Sequence, residues 1–327
     1  MRVSDKSKYY HLLTGLNKHQ KSYNIYAAQV STGIKLANPS DGNGYSETVR
    51  RENNLSLADQ FLNRIGFLAG YFSFLEENLS QANSIIVRAK EIAQQAANET
   101  YSIQAREHLS LEVFQLRDHL VQLANSTYQG RYVWGGVDDD DPPFDQQTYT
   151  VPASGPASVR YVFDSEPGTS IMRSVKISHD FEVQLNESGF NVFARAIGAL
   201  ERLGRALAGY STNPPSGLPN GTGSAYSFPN DYQNQTSAIR AAIDLLEQAR
   251  SQDISNHRTI IASKMTRLDI AKSIITMEKE SDQEFLVQTR DADIGESATR
   301  LTQTENLLQT TYKLLARVSN LNLLDYI

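Results

Sequence analysis

The sequence predicts a mainly α protein with an inserted β-rich domain, an α+β chain. Long antiparallel helices are formed by its N- and C-terminal segments together, with coiled-coil-like termini. Three observations carry this reading. Apolar residues recur at helical spacing over long stretches at both ends. The two ends carry opposite charge. The period shortens to that of β-strands only between residues 148 and 185.

At the N-terminus Tyr9, Leu12, Leu16, His19, Tyr23, Tyr26 and Val30 alternate steps of three and four residues. They predict one stripe along a helix, broken only by His19, which reads as a packed or partly exposed seam residue. The stretch "QVSTGIKLANPSDGNGYSETV" (Gln29 to Val49) interrupts it. Gly33 and Asn38-Pro39 end the helix, because the residue before proline is pushed out of the α region. Ser40 or Asp41 offers a side-chain oxygen to cap the next helix, and Gly42 and Gly44 supply backbone freedom for a turn. Asn38, Pro39, Asp41, Gly42 and Gly44 thus form an interhelix joint. A phosphate cradle at "GNG" fits poorly, since no strand leads into it and Glu47 stands where a third glycine belongs.

From Leu55 to Asn125 helical spacing dominates, with Phe72, Leu75, Leu79, Ile86, Ile92, Val113, Leu116 and Leu120 on the apolar face. A dip in apolar content near Gln94–Ser102 marks a break. "STYQGRYVWGG" (126–136) closes the run, and "DDDDPPF" is a solvated loop without the ligand spacing of an EF-hand. The strands then fall in "YTVPAS", "VRYVF", "SIMRSVKIS" and "FEVQL". Helix returns at 191–209, a Pro/Gly/Ser/Asn-rich loop occupies 211–230, and from Tyr232 the pattern is helical to the end. There Ile294, Leu301, Leu308 and Leu315 recur every seven residues, Leu307, Leu314 and Leu321 do so beside them, and Val318 joins the same face.

The charges of the ends suggest pairing with each other or with copies of each other. Residues 1–37 hold six basic side chains against Asp5, net +5, and residues 281–327 hold seven acids against four bases, net −3. The expected organisation is therefore a terminal coiled-coil assembly region (1–50 with 285–327), a helical stem (51–137 with 190–284) and a β-rich outer domain (138–189).

Composition excludes several functions. A net charge of −6 over 327 residues gives no electrostatic footprint for nucleic acid. No apolar run is long enough for membrane insertion. The absence of cysteine removes disulfides and thiolate chemistry. The N-terminus has no apolar signal-peptide core. The six histidines have no metal-ligand spacing, and "GYSET" lacks the second glycine of a nucleophile elbow. No catalytic, cofactor or metal site is expected, and the chain reads as a non-enzyme.

Several segments in order resemble the flagellin superfamily: "QVSTGIKLANPSDGNGY", "ANSTYQGRYVWGG", "NESGFNVF", "SNHRTIIASKMTRLDIA" and the terminal "DADIGESATRLTQTENLLQTTYKLLARVSNLNLLDYI". The likeness covers roughly 1–137 and 178–327. The joint departs from the family's usual Asp-Asp-Pro-Ala-Gly, having Asp41-Gly42-Asn43-Gly44 instead. The ending "LNLLDYI" and the aromatic "YVWGG" differ from filament flagellin, whose tail is usually Leu-Leu-Arg-like, and are similar to the superfamily's hook–filament junction members. The resemblance implies a structural, extracellular flagellar subunit exported without a cleaved signal peptide. It implies self-assembly into a ring, contacts with a neighbouring hook-associated protein and with filament flagellin, and an export chaperone. It also implies that Leu12, Leu16, Tyr23, Tyr26, Val30, Ile294, Leu301, Leu308, Leu315, Val318 and Leu321 form the assembly seam. Filament flagellin itself, or a secreted adhesin or enzyme using the β insert, are the alternatives.

Overall fold

The structure, a computed structural model, describes residues 5–42, 44–98, 101–136, 139–148, 158–163, 174–179, 181–185, 187–211 and 225–324. Seven α-helices and three two-stranded antiparallel sheets are formed by them. The chain divides into two compact units, Phe61–Ile274 and a terminal unit of Met1–Gln60 with Ile275–Ile327.

The terminal unit holds α1 (Asp5–Thr32), the start of α2 (Tyr45–Ala96), the end of α6 (Ser255–Thr289) and α7 (Ile294–Leu324). A 3₁₀ turn, Pro39–Asp41, lies between α1 and α2. In the other unit α2 continues to Ala96 and α3 (Ile103–Ala124) follows, so the helix break falls where apolar content dips. Ser102 caps α3 by accepting a hydrogen bond from the Ala105 amide at 3.2 Å. The stretch "STYQGRYVWGG", read as a closing segment, is a hairpin of β1 (Thr127–Tyr128) and β2 (Arg131–Tyr132).

The next strand comes earlier than expected. β3 is Phe144–Thr148, directly after Pro142-Pro143, and pairs with β4 (Val159–Phe163). Asn125 sets this start: its side chain donates to the Phe144 carbonyl at 2.9 Å and accepts from the Phe144 amide at 3.0 Å. All of "YTVPAS" (149–154) lies outside the described residues. β5 (Ser174–Lys176) and β6 (Glu182–Gln184) make the third sheet.

α4 (Gly189–Leu207) is the centre of this unit. Val192, Phe193, Ala196, Ile197, Leu200, Leu203 and Leu207 are all buried, and α3, α5 (Tyr232–Gln248) and β4 pack on it. The helix is buried on nearly every side, the charged Glu201 and Arg205 included. Its Gly204 lets the Phe114 ring approach so closely that a Cβ would lie 2.6 Å from it. The helical run from Tyr232 is interrupted twice, by a π-helical turn at Ala249–Ile254 and by a break at 290–293.

Candidate assembly face of the paired chain ends

The break at 290–293 and the joint after α1 explain each other. α1 stops at Thr32 because Gly33 takes a left-handed conformation (φ +74°), its amide donating to the Gln29 carbonyl at 2.8 Å. Of the two stop signals in the sequence, Gly33 is the one that ends the helix, and Asn38-Pro39 lies beyond it. Beyond Gly33 the chain leaves the helix, and Ile34 forms an antiparallel bridge with Asp291. The Lys35 amide donates to the Arg290 carbonyl, and the Ala292 amide to the Gly33 carbonyl, both at 2.8 Å. Backbone groups that a continuous helix would have used internally are thus paired across the two ends.

Charged side chains fasten the same region. Arg290 reaches Asp291 (2.7 Å) and Glu52 on α2 (2.8 Å), and these two carboxylates, Asp291 first, hold its guanidinium pKa above the usual value. Arg51 pairs with Asp282 and Glu47 and lies 4.9 Å over the Phe285 ring. Lys279 pairs with Asp59 at 2.6 Å. α2 and α6 are tied at their inner ends by these pairs.

The joint residues fall into place around Leu36. Asn38 precedes the 3₁₀ turn that Pro39 opens, and the side chain of Asp41 is outside the described set, as is Asn43. Gly42 and Gly44 do not occupy the left-handed region, in contrast to the turn freedom the sequence suggested. They are needed for space: a Cβ on Gly42 would stand 3.3 Å from Leu36, and one on Gly44 3.2 Å from both Leu36 and Thr289. The Gly44 carbonyl then accepts the first helical bond of α2, from Thr48 at 3.0 Å.

α1 and α7 run antiparallel along one another. Ser297 donates to the Gln29 side chain at 3.2 Å, and Arg300 lies 5.9 Å over the Tyr26 ring. On α1, Leu12, Leu16, Tyr23, Tyr26 and Val30 are half-buried along this pairing, and His19 sits among them. On α7 the inward stripe is Ser297, Leu301, Thr304, Leu308, Thr311 and Leu315, with Leu308 only 7% exposed. Small hydroxyl residues alternate with leucines there, a seven-residue repeat of Ser297, Thr304 and Thr311 that was present in the sequence but polar. Ile294 lies off the stripe, 57% exposed at the first residue of α7. Val318 and Leu321 are on the α7 backbone, but their side chains are outside the described set. Leu307 and Leu314 remain about half exposed, as do Tyr312 and Tyr10, and Tyr9 is exposed as well. Among the described residues no ion pair joins α1 to α7, and Lys18 and Lys21 are exposed. No cluster of metal-ligating side chains occurs among the described residues, and none of their helices is long and apolar enough to cross a membrane.

A module made from both chain ends, with apolar side chains left outside its own seam, defines a class of helical subunit whose termini are built together. The chain belongs to the bacterial flagellin family: that family's N-terminal helical region matches residues 3–138 and its C-terminal helical region residues 235–327. It is similar to flagellar hook-associated protein 3 of Escherichia coli K12, 24% identical over 338 aligned positions that cover 99% of this chain and 98% of that protein. The Salmonella typhimurium protein of the same name is 33% identical over 150 positions, 45% of this chain and 47% of its own. In fold the chain is similar to Bacillus cereus FlgL, with TM-score 0.54 at 17% identity over 72% of this chain and 98% of that one.

Proposed function

We propose that this protein is a structural subunit of the flagellar axis that joins hook to filament, assembling through its paired chain ends. The observation that carries this reading is the incomplete burial of α1 and α7. Their seam residues are mostly half-buried, and Leu307, Leu314 and Tyr312 are 46–53% exposed on the outer side. A groove of about 550 Å³ bordered by Tyr26, Arg300 and Leu307 runs beside that side. Exposed apolar side chains along a helix pair are the usual mark of a surface that a neighbour covers. Ring formation, contacts with a neighbouring hook-associated protein and with filament flagellin, chaperone-covered export without a cleaved signal and an extracellular position all follow from this role. It is a mechanical role, without catalysis or cofactor. The relatives named flagellar hook-associated protein 3 support it.

Electron microscopy of cells lacking the protein tests the proposal. Intact hooks without filaments, with filament subunits shed into the medium, are expected. Normal filaments on those hooks would defeat it. The filament-subunit alternative predicts long polymers when purified protein is seeded, whereas a junction subunit adds a limited layer.

A further inference from the structure

The β1–β2 hairpin closes a cleft of about 300 Å³ against α2, at the small end of the range for small-ligand sites. Its framework is fixed. The Tyr128 ring stands edge-on to Phe67 (5.9 Å) and Tyr71 (5.6 Å), and its hydroxyl rests on Gly70, where a Cβ would be 3.1 Å away. Three features of this cleft are not accounted for by the packing of the described residues. Phe67 is 46% exposed at its edge, an aromatic surface that packing has left uncovered. The side chains of Tyr71, Tyr132 and Gln129 line the cleft without making a hydrogen bond to any described residue. Gln129 itself is held at φ +52°, the one non-glycine residue with positive φ among those described, at a turn position where glycine would be free of strain.

The charges at the cleft are balanced. Arg131 pairs with Asp139 at 2.8 Å, so neither a cation nor an anion meets an uncompensated partner. The Tyr71 hydroxyl stays neutral: burial, with the carboxylates of Glu187 and Asp139 near, pushes its pKa up to about 12. Flat aromatic surface, several neutral hydrogen-bonding groups with no partner among the described residues and planar side chains with two donors or acceptors complement one ligand chemistry. A pyranose ring has an apolar C–H face that stacks on an aromatic ring, and a rim of neutral hydroxyls that bond to amide, phenol and paired-charge groups. We infer that this cleft binds a neutral saccharide, with Phe67 as the stacking surface and Gln129, Tyr71 and Tyr132 as the hydroxyl readers. The inference does not depend on the junction role.

Saturation-transfer NMR of the full chain with a panel of neutral disaccharides (maltose, cellobiose, lactose and N,N′-diacetylchitobiose) tests it. At least one should receive saturation, most strongly at its ring C–H protons, with roughly millimolar affinity. Gln129→Gly separates binding from folding, since it relaxes the turn while deleting the amide. It should hold or raise the melting temperature and weaken the saccharide by about tenfold. Phe67→Ala should abolish the transfer, and Phe190→Ala, an exposed ring outside the cleft, should leave it intact. No transfer from any sugar, transfer undiminished in both cleft variants, or shifts at cleft residues only with arginine amide or inorganic phosphate as probes would each overturn the assignment.

Discussion

Gly44 shows how a residue can be required for a reason other than its backbone freedom. It opens α2 without a left-handed φ, yet Leu36 and Thr289 both stand 3.2 Å from where its Cβ would be. Gly44→Val should therefore destabilise the terminal unit by about 1–3 kcal/mol, the usual cost of overpacking. The double variant Gly44→Val, Leu36→Ala should recover part of that loss in thermal melting. If the double variant melts no higher than the single one, Leu36 is not the obstacle. Gly204 makes the same point in the central unit, where the Phe114 ring lies 2.6 Å from the Cβ position. Gly204→Ala should cost about 1–3 kcal/mol despite alanine's better helix propensity. Combining it with Phe114→Leu should reduce that cost, again read from the melting temperature.

Between elements, the clearest electrostatic tie is Glu247 on α5. It reaches Arg250 at 2.6 Å and Lys90 on α2 at 2.7 Å. The hydrogen bond from Arg250, then that from Lys90, lowers its pKa from 4.5 to about 2. A carboxylate whose folded pKa is depressed stabilises the fold above its unfolded pKa. That contribution is lost as pH falls from about 4.5 to about 2. Glu247→Gln should flatten the fall in melting temperature across this window, and added salt should flatten it in the natural protein. An unchanged acid limb in the variant would assign the fall to other carboxylates. This tie was invisible in the sequence, because Lys90 and Glu247 are 157 positions apart. Elements defined by local periodicity were legible: the terminal helices, the break after Ala96 and the apolar helix at 191–209. Elements set by distant partners were not. The break at 290–293 exists because Ile34 pairs with Asp291, and β3 begins at Phe144 because Asn125 brackets it. Of the proposed seam, its leucine repeat could be read directly. The intervening Ser297, Thr304 and Thr311 escaped because a search for apolar periodicity passes over hydroxyls.

At the scale of the whole molecule, the sequence alone cannot divide the leucines of α7 into those that hold the protein together and those left for a neighbour. The structure divides them. Leu308 is 7% exposed in the pairing with α1, whereas Leu307 and Leu314 are 49% and 46% exposed. A charge at Leu308 would therefore disturb the subunit itself, and a failure to assemble would say little about interfaces. Leu308→Ala should cost the terminal unit about 2 kcal/mol, at the low end for buried leucines because the seam is only partly closed. Leu307→Glu and Leu314→Glu should change the melting of the isolated protein by less than about 0.5 kcal/mol, as exposed positions do. Those same two variants should fail to enter the flagellum, leaving hooks without filaments in complemented cells. Normal motility with Leu307→Glu, Leu314→Glu double-variant protein would show that this side of α7 faces solvent in the assembly. Loss of melting stability in the double variant would show that the two leucines belong to the subunit's own core.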